Sequence, residues 1–159
     1  MGVSGCGKST IAEGIAASLK GIYLDGDDFH PPSNIEKMSK GVPLTDEDRF
    51  PWLKIVANEL STPEGPVVIA CSALKRVYRD TIQKHSKEPV LFVYLNGSLE
   101  LISGRMAARS DHFMPTSLLE SQFATLELPA SDELAISVDI DQSPDLIIND
   151  AVSQIKATS

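Results

Sequence analysis

Apolar residues recur at helical spacing near the start of the chain. Ile11, Ile15 and Leu19, with Ala12 and Ala16 beside them, make one stripe. Gly21 follows where a C-terminal helix cap belongs. Beyond it, short runs of β-type residues alternate with helical stretches. Residues 22–25, 67–71, 90–95 and 135–138 read as strands. Pro51 fits a first helical position, with Trp52, Val56 and Leu60 following at four-residue steps. A second helix is expected over 74–84, and a third from Ser98 as N-cap to Arg109. The last opens at Ser143-Pro144 and carries Ile148, Val152 and Ile155 on one face. This alternation predicts an α/β fold with a parallel sheet, in a single domain spanning 1–159. Residues 110–132 are polar, hold two prolines and join a helix to a strand. That is long for a connection and is expected to be a lid.

The residues ahead of the first helix carry the most specific signal. Gly2-Val3-Ser4-Gly5-Cys6-Gly7-Lys8-Ser9 fits the pattern of two glycines five apart followed by Lys and Ser. Glycine lets the backbone take positive φ and approach phosphate oxygens closely. Successive N–H groups then form an anion nest, to which the following helix adds its positive end. Lys8 is placed to reach the β- and γ-phosphates and Ser9 to hold Mg²⁺. The whole loop, from Gly2 and Val3 through Ser4, Gly5, Cys6 and Gly7 to Lys8, Ser9 and Thr10, is expected to bind a polyphosphate. Such a loop normally leaves a buried strand, yet only Met1 precedes it here. The strand count is therefore four, with none before the loop.

Composition narrows the class. The chain has 159 residues, 42% hydrophobic and 23% charged, with a formal net charge of −8. That suits one domain with a real core and a poor general binder of nucleic acid or membrane surfaces. Cys6 and Cys71 make neither a disulfide framework nor a metal quartet, and both are expected to be reduced thiols in a cytoplasmic protein. No apolar stretch approaches membrane-spanning length and no signal peptide is visible. Met1-Gly2 hints at myristoylation, but Cys6 stands where that motif wants Ser or Thr.

In an open parallel sheet, ligands bind beyond the carboxyl ends of the strands. The first strand is followed by Asp25-Gly26-Asp27-Asp28-Phe29-His30, the second by Ser72-Ala73-Leu74-Lys75-Arg76, and the third by Asn96 and Ser98. Asp25 and Asp27 stand two apart just beyond the first strand. One can then serve Mg²⁺ through water while the other faces an acceptor hydroxyl as general base. Arg49, Lys75, Arg76, Arg105 and Arg109 are candidates to clamp phosphate or an anionic substrate. Arg105 and Arg109 are four apart and are expected to share a helix face. His30, His85 and His112 lack metal-ligand spacing. The Asn-Lys-x-Asp motif that reads guanine is absent, as are a Gly-x-Ser-x-Gly elbow and a Cys/His constellation.

Beside the phosphate loop, several segments resemble the gluconokinase family of small P-loop kinases. They are Leu24-Asp25-Gly26-Asp27-Asp28-Phe29-His30-Pro31, Asn34-Ile35-Glu36-Lys37-Met38 and Gly41-Val42-Pro43-Leu44-Thr45-Asp46-Glu47-Asp48-Arg49. Pro51-Trp52-Leu53, Cys71-Ser72-Ala73-Leu74-Lys75, Tyr78-Arg79-Asp80 and Gly97-Ser98 follow. Arg105, His112-Phe113-Met114-Pro115, Ser121-Gln122-Phe123 and Thr125-Leu126-Glu127 complete the match. The resemblance covers nearly the whole chain. It implies a nucleoside-monophosphate-kinase-like fold with a five-stranded parallel sheet and a lid, and transfer of phosphate from ATP with Mg²⁺ to the 6-hydroxyl of D-gluconate. It also implies roles: Lys8 and Ser9 on the ATP phosphates and metal, Asp27 at the acceptor, and Asp25 near the metal waters. Arg49 and Lys75 fall in the gluconate pocket, with His30. Arg105 falls against adenine, Arg109 against the transferring phosphate, and His112 in the lid. A homodimer is implied as well.

The departure from the family is the apolar central strand before the loop. Without it, two neighbours are expected to carry unpaired backbone groups beside an opened core, each buried unpaired group costing about 1–3 kcal/mol. The sequence is accordingly expected to be a truncated form or one with a misassigned start, unstable or poorly active as it stands. Two other readings remain at this point: a kinase for shikimate or another small hydroxy acid, and a non-catalytic nucleotide-binding variant.

Overall fold

The stripe of Ile11, Ala12, Ile15 and Ala16 is buried on α1 (Lys8–Ser18), which leads directly out of the phosphate loop. The computed structural model describes residues 1–62, 64–109 and 115–159. α1 runs into β1 (Ile22–Asp25) through Lys20 and Gly21. The left-handed position at the helix end falls on Lys20, at φ 54, rather than on Gly21. Gly21 is needed for a different reason. A Cβ there would lie 2.2 Å from the Pro66 carbonyl oxygen, which accepts from Ile22 N as the strand enters the sheet.

A 3₁₀ turn (Gly26–Phe29) and α2 (Pro32–Ser39) follow, and neither stood out in the sequence pattern. α3 (Asp46–Glu59) begins five residues before Pro51, which lies inside it. Thr45 and Asp48 close a capping box at its start, and Asp46, Glu47 and Asp48 complement the helix dipole. Those terms set the helix start, so the first-position reading of Pro51 does not hold. The chain continues through β2 (Val67–Ala70), α4 (Arg76–His85), β3 (Phe92–Asn96) and α5 (Leu99–Ala108). Ser98 caps α5 by accepting from Leu101 N, as its position predicts. Within the presumed lid stretch lies α6 (Thr116–Thr125), whose Leu119 is buried in the core. β4 (Ala135–Asp139) and α7 (Pro144–Thr158) complete the chain. On α7, Ile147 and Ala151 are fully buried, and Ile148, Val152 and Ile155 flank them.

All strand pairing is parallel, but the sheet is in two halves. β1 pairs with β2 from Ile22↔Val67 to Asp25↔Ala70. β3 pairs with β4 from Phe92↔Ala135 to Asn96↔Asp139. Four strands are present among the described residues, and no strand stands between β2 and β3. The start of the chain spans that gap. Met1 N donates to the Val93 carbonyl (2.6 Å), Leu95 N donates to the Met1 carbonyl (3.0 Å), and Gly2 N donates to the Ser72 carbonyl (3.1 Å). Below these bonds opens a cavity of about 570 Å³, lined by Ile11, Ile15, Val68, Ile69, Phe92 and Val93. Apolar clusters flank it. One packs α1, α5, α6 and α7 onto β3 and β4, and the other packs α3 on α4 around Trp52, Leu53, Val56 and Ile82.

One buried ion pair ties α4 to the approach of β4. The side chains of Arg79 and Glu133 are 1% and 6% exposed. Arg79 Nε and Nη2 donate to the two Glu133 oxygens at 2.6 and 3.0 Å, and Nη1 donates to the carbonyls of Ala73 and Leu74. Both groups are thus satisfied, which a buried charge requires.

The split sheet and this pair give two expectations. Fewer paired strands and an open apolar gap should give a low, shallow urea transition and binding of a hydrophobic dye under native conditions. A steep, high-midpoint melt without dye binding would show that the gap carries no such cost. For the pair, hydrogen bonds from Arg79 lower the Glu133 carboxyl below its ordinary 4.5. Its stabilisation is therefore fully present above that value and is lost as pH falls through the lowered one. Glu133→Gln should remove this step from a melting-temperature profile between about pH 3 and 7. It should also cost about 3–5 kcal/mol by leaving a buried guanidinium without its counter-charge.

Candidate functional site

Parallel pairing places the ends of β1 and β2 beside each other, Asp25 opposite Ala70. Gly2 N meets the Ser72 carbonyl just beyond β2, so the phosphate loop joins the same edge. Gly5 and Gly7 take φ of 80° and 93°, the left-handed conformation that glycine allows at no steric cost. Gly7 is also the N-cap of α1, and no side chain caps that helix. Its first-turn N–H groups therefore stand free to meet an anion. Ser9 and Thr10 are exposed on that turn, while Val3 and Cys6 are buried and anchor the loop. Lys8 lies back along the loop, its Nζ donating to the carbonyls of Gly2 (3.1 Å) and Val3 (2.9 Å). The nest, the uncapped helix start, Lys8 and Ser9 together have the donor set that a magnesium-bound polyphosphate requires.

A contact invisible to sequence pattern fixes the loop from above. Ser4 N donates to Gln122 Oε1 at 2.7 Å, and Gln122 Nε2 donates to Ser4 Oγ at 2.9 Å. α6 is therefore docked on the phosphate loop through Gln122 and through the buried Leu119. No periodicity could have singled out Gln122, a polar residue 118 positions from its partner.

After β1 the chain does not stay extended, and Asp25 and Asp27 are joined by a turn. Asp25 Oδ1 accepts from Asp27 N at 3.0 Å and caps the 3₁₀ turn. Asp27 projects outward, its side chain 83% exposed, with His30 Nε2 at 3.8 Å. Trp52 of α3 holds this turn from below. Its Nε1 donates to the Gly26 carbonyl at 2.7 Å, and its ring stacks on His30 at 4.1 Å between centroids. Burial, only partly offset by Asp27 and reinforced by the positive charge of Arg49, lowers the His30 pKa below 6.5.

The structure brings Arg49 and Lys75 together around one aromatic ring. The Arg49 guanidinium carbon lies 5.6 Å from the Tyr78 centroid, and Lys75 Nζ lies 5.5 Å from it. Asp46 fixes the group. It accepts from the Tyr78 hydroxyl (2.5 Å) and from Lys75 Nζ (3.2 Å). These hydrogen bonds, first from Tyr78 and then from Lys75, hold the Asp46 carboxyl below its usual range. The same carboxylate raises the Lys75 ammonium above 10.5. Asp46 and Tyr78 lie in segments that carry the family resemblance, but the sequence reading gave them no role in the site. A usable signal was the Thr45-x-x-Asp48 cap, which starts α3 early enough to place Asp46 on it.

Not every basic candidate reaches this edge. Arg76 is bound to Asp132 by two hydrogen bonds (2.9 and 2.7 Å) and lies 3.6 Å from Asp80, so it secures a loop rather than an anion. Arg105 reaches the Gln142 carbonyl at 3.4 Å, beyond the end of β4. α5 ends at Ala108, and Arg109 is its extended C-cap, so the pair does not share a continuous helix face. His112 lies outside the described residues. Cys6 and Cys71 are free, and desolvation pushes the Cys71 thiol up to about 11. Among the described residues, no helix is long and apolar enough to cross a membrane, and no cluster of three His, Cys, Asp or Glu could hold a metal.

Comparison with known proteins fits this geometry. The family described as shikimate kinase matches residues 4–155. A gluconokinase of Gluconobacter oxydans (strain 621H) is 43% identical over 161 residues, covering 99% of this chain and 89% of the relative. The thermosensitive gluconokinase of Escherichia coli (strain K12) is 48% identical over 149 residues, covering 92% and 79%. The crystal structure of a gluconokinase from Sinorhizobium meliloti 1021 superposes with a TM-score of 0.89 at 44% identity, over 99% of this chain and 89% of that one.

The Asp46–Lys75 contact is open to direct test. NMR of ¹³C-labelled lysine should show Lys75 titrating above 10.5 in the wild type and near the ordinary value in Asp46→Asn. An unchanged titration would mean that another group holds the ammonium.

Proposed function

The chain belongs to the gluconokinase family, within the wider shikimate-kinase-type family, and from that premise we propose that its edge of carboxylates and cations transfers the γ-phosphoryl group of ATP to the 6-hydroxyl of D-gluconate. The observation that carries the reading is the convergence at one sheet edge of the phosphate loop, Asp27 with His30, and the Arg49–Lys75 pair. Relatives that are gluconokinases disfavour both a shikimate acceptor and a non-catalytic variant.

The proposed division of labour follows from the positions. Loop N–H groups and the start of α1 bind the ATP phosphates, and Lys8 exchanges its bonds to the Gly2 and Val3 carbonyls for the β- and γ-phosphate oxygens. Ser9, with Asp25 through water, would hold Mg²⁺, which would neutralise charge on the β- and γ-phosphates. Arg49 and Lys75 bind the gluconate carboxylate, held in place by Tyr78 and Asp46. Asp27 faces the 6-hydroxyl, with His30 beside it. As the bond from the hydroxyl oxygen to the γ-phosphorus forms in line and the bond to ADP breaks, Asp27 takes the hydroxyl proton. Arg105 lies toward the adenine, and Arg109 steadies the charge on the transferring group. The 110–132 segment is assigned the role of a lid that excludes water, its residues 110–114, His112 among them, lying outside the described residues. The working protein is a cytoplasmic homodimer.

A panel of sugar acids and shikimate in a coupled ADP-release assay tests the acceptor. Gluconate-dependent ADP release with 6-phosphogluconate as product is expected, and release with shikimate instead would overturn the assignment. Asp27→Asn should lower kcat by roughly 10²–10⁴-fold, the range for loss of a general base. Near-wild-type turnover would remove Asp27 from that role.

A further inference from the structure

His30 is 9% exposed and its ring is held on several sides. Trp52 stacks on one face, with ring planes 20° apart. At the Nδ1 edge, Nδ2 of Asn34 lies at 3.2 Å. Asn34, on α2, is 2% exposed, and the same Nδ2 lies 3.0 Å from the Asp48 carbonyl oxygen at the start of α3. A peptide carbonyl can only accept, so the Asn34 atom facing it must carry hydrogen. Asp48, not the imidazole, thus decides which way the amide points. The amide nitrogen has two hydrogens and two acceptors to serve. Nδ1 of His30 must then be bare, and the one hydrogen of a neutral ring sits on Nε2. Nε2 is the atom that faces Asp27 Oδ1 at 3.8 Å. At that distance the two are not yet hydrogen-bonded, and a rotation of the exposed carboxylate that closed the gap would form the bond.

We propose that Asn34 is a positioning residue that locks His30 as its neutral Nε2–H tautomer, so that the ring donates its single hydrogen to one oxygen of Asp27 and turns the other toward the acceptor alcohol. This rests on the reading of Asp27 as the base. The neutral form matters because an imidazolium would pair fully with Asp27 and weaken it as a proton acceptor. It would also set an Nδ1–H against the Asn34 N–H, so the contact that fixes the tautomer opposes the charge. Burial acts in the same direction, Asp27 against it, and Arg49 with it, the net effect being a lowered pKa. The Asp48 carboxylate is turned away, accepting from Lys37 Nζ at 2.7 Å and Thr45 N at 2.9 Å. Asn34 itself belongs to α2 and is buried away from solvent, which distinguishes it from a residue that touches substrate.

¹⁵N NMR of the imidazole rings in the whole chain reads this directly. With three histidines, His30→Gln identifies the signal. A neutral Nε2–H ring at pH 7, titrating below 6.5, is the expected result. His30 found as the Nδ1–H tautomer, or charged at pH 7, overturns the proposal without any variant at position 34. Asn34→Leu, similar in size but without a donor, should populate the Nδ1–H form. It should lower kcat/KM for gluconate about 10- to 100-fold, with the KM for ATP unmoved. A Leu variant that keeps both tautomer and turnover also overturns it. If the wild type phosphorylates no gluconate, the functional reading fails, while the ring spectrum still decides the tautomer on its own.

Discussion

Three backbone hydrogen bonds at Met1 and Gly2 join a sheet that is otherwise in two parallel halves. They tie the β3 side to Ser72 just beyond β2, and they set where the phosphate loop begins. From that fixed start Gly5 and Gly7 turn the backbone, and α1 carries its apolar stripe into the core. These bonds, with the apolar packing of α1 against both halves, bring loop, carboxylates and cations to one edge above an apolar cavity. Backbone groups in such a setting have no cheap alternative partner, which gives so few bonds their weight.

The chemistry at that edge is arranged in layers of support. The groups proposed to meet substrate are Lys8, Asp27, Arg49 and Lys75. Behind them stand groups whose own bonds are complete. Gln122 holds Ser4, Asp46 and Tyr78 hold Lys75, Trp52 holds the turn that carries Asp27, and Asn34 holds His30. α3 contributes to two of these arrangements, through Asp46 and Trp52, and it also carries Arg49. The capping box at Thr45 that starts this helix early is therefore also a determinant of the site. Without those first residues, Asp46 and Arg49 would lie in a loop with no fixed relation to Trp52.

Much of this was legible in advance, and the misses have a common cause. The phosphate loop, the α1 stripe, the four strands and the Ser98 cap depend on residues within a few positions of one another, where periodicity and capping chemistry operate. The start of α3 was misplaced because Pro51 is a strong local signal, whereas the stronger determinant, the Thr45–Asp48 reciprocal cap, lay outside the apolar repeat. Arg76 looked like Lys75 in sequence, yet one neighbour meets Asp46 and the other Asp132. Residue type alone could not separate them, because which carboxylate each meets depends on how α4 lies against α3 and the 127–133 loop.

The amino-acid sequence by itself determined the phosphate-binding loop, the parallel α/β plan and the side of the sheet on which the chemistry gathers. Glycine spacing, apolar period and strand order are local or ordinal properties that each segment carries wherever it is placed. Only the tertiary structure decided that Arg49 and Lys75 flank one tyrosine, that Gln122 clamps the loop, that Asn34 bonds both His30 and the Asp48 carbonyl, and that the sheet stands in two halves. Those outcomes depend on distances between elements far apart along the chain. Such distances are set by how the packed helices and strands meet, and no single segment encodes them.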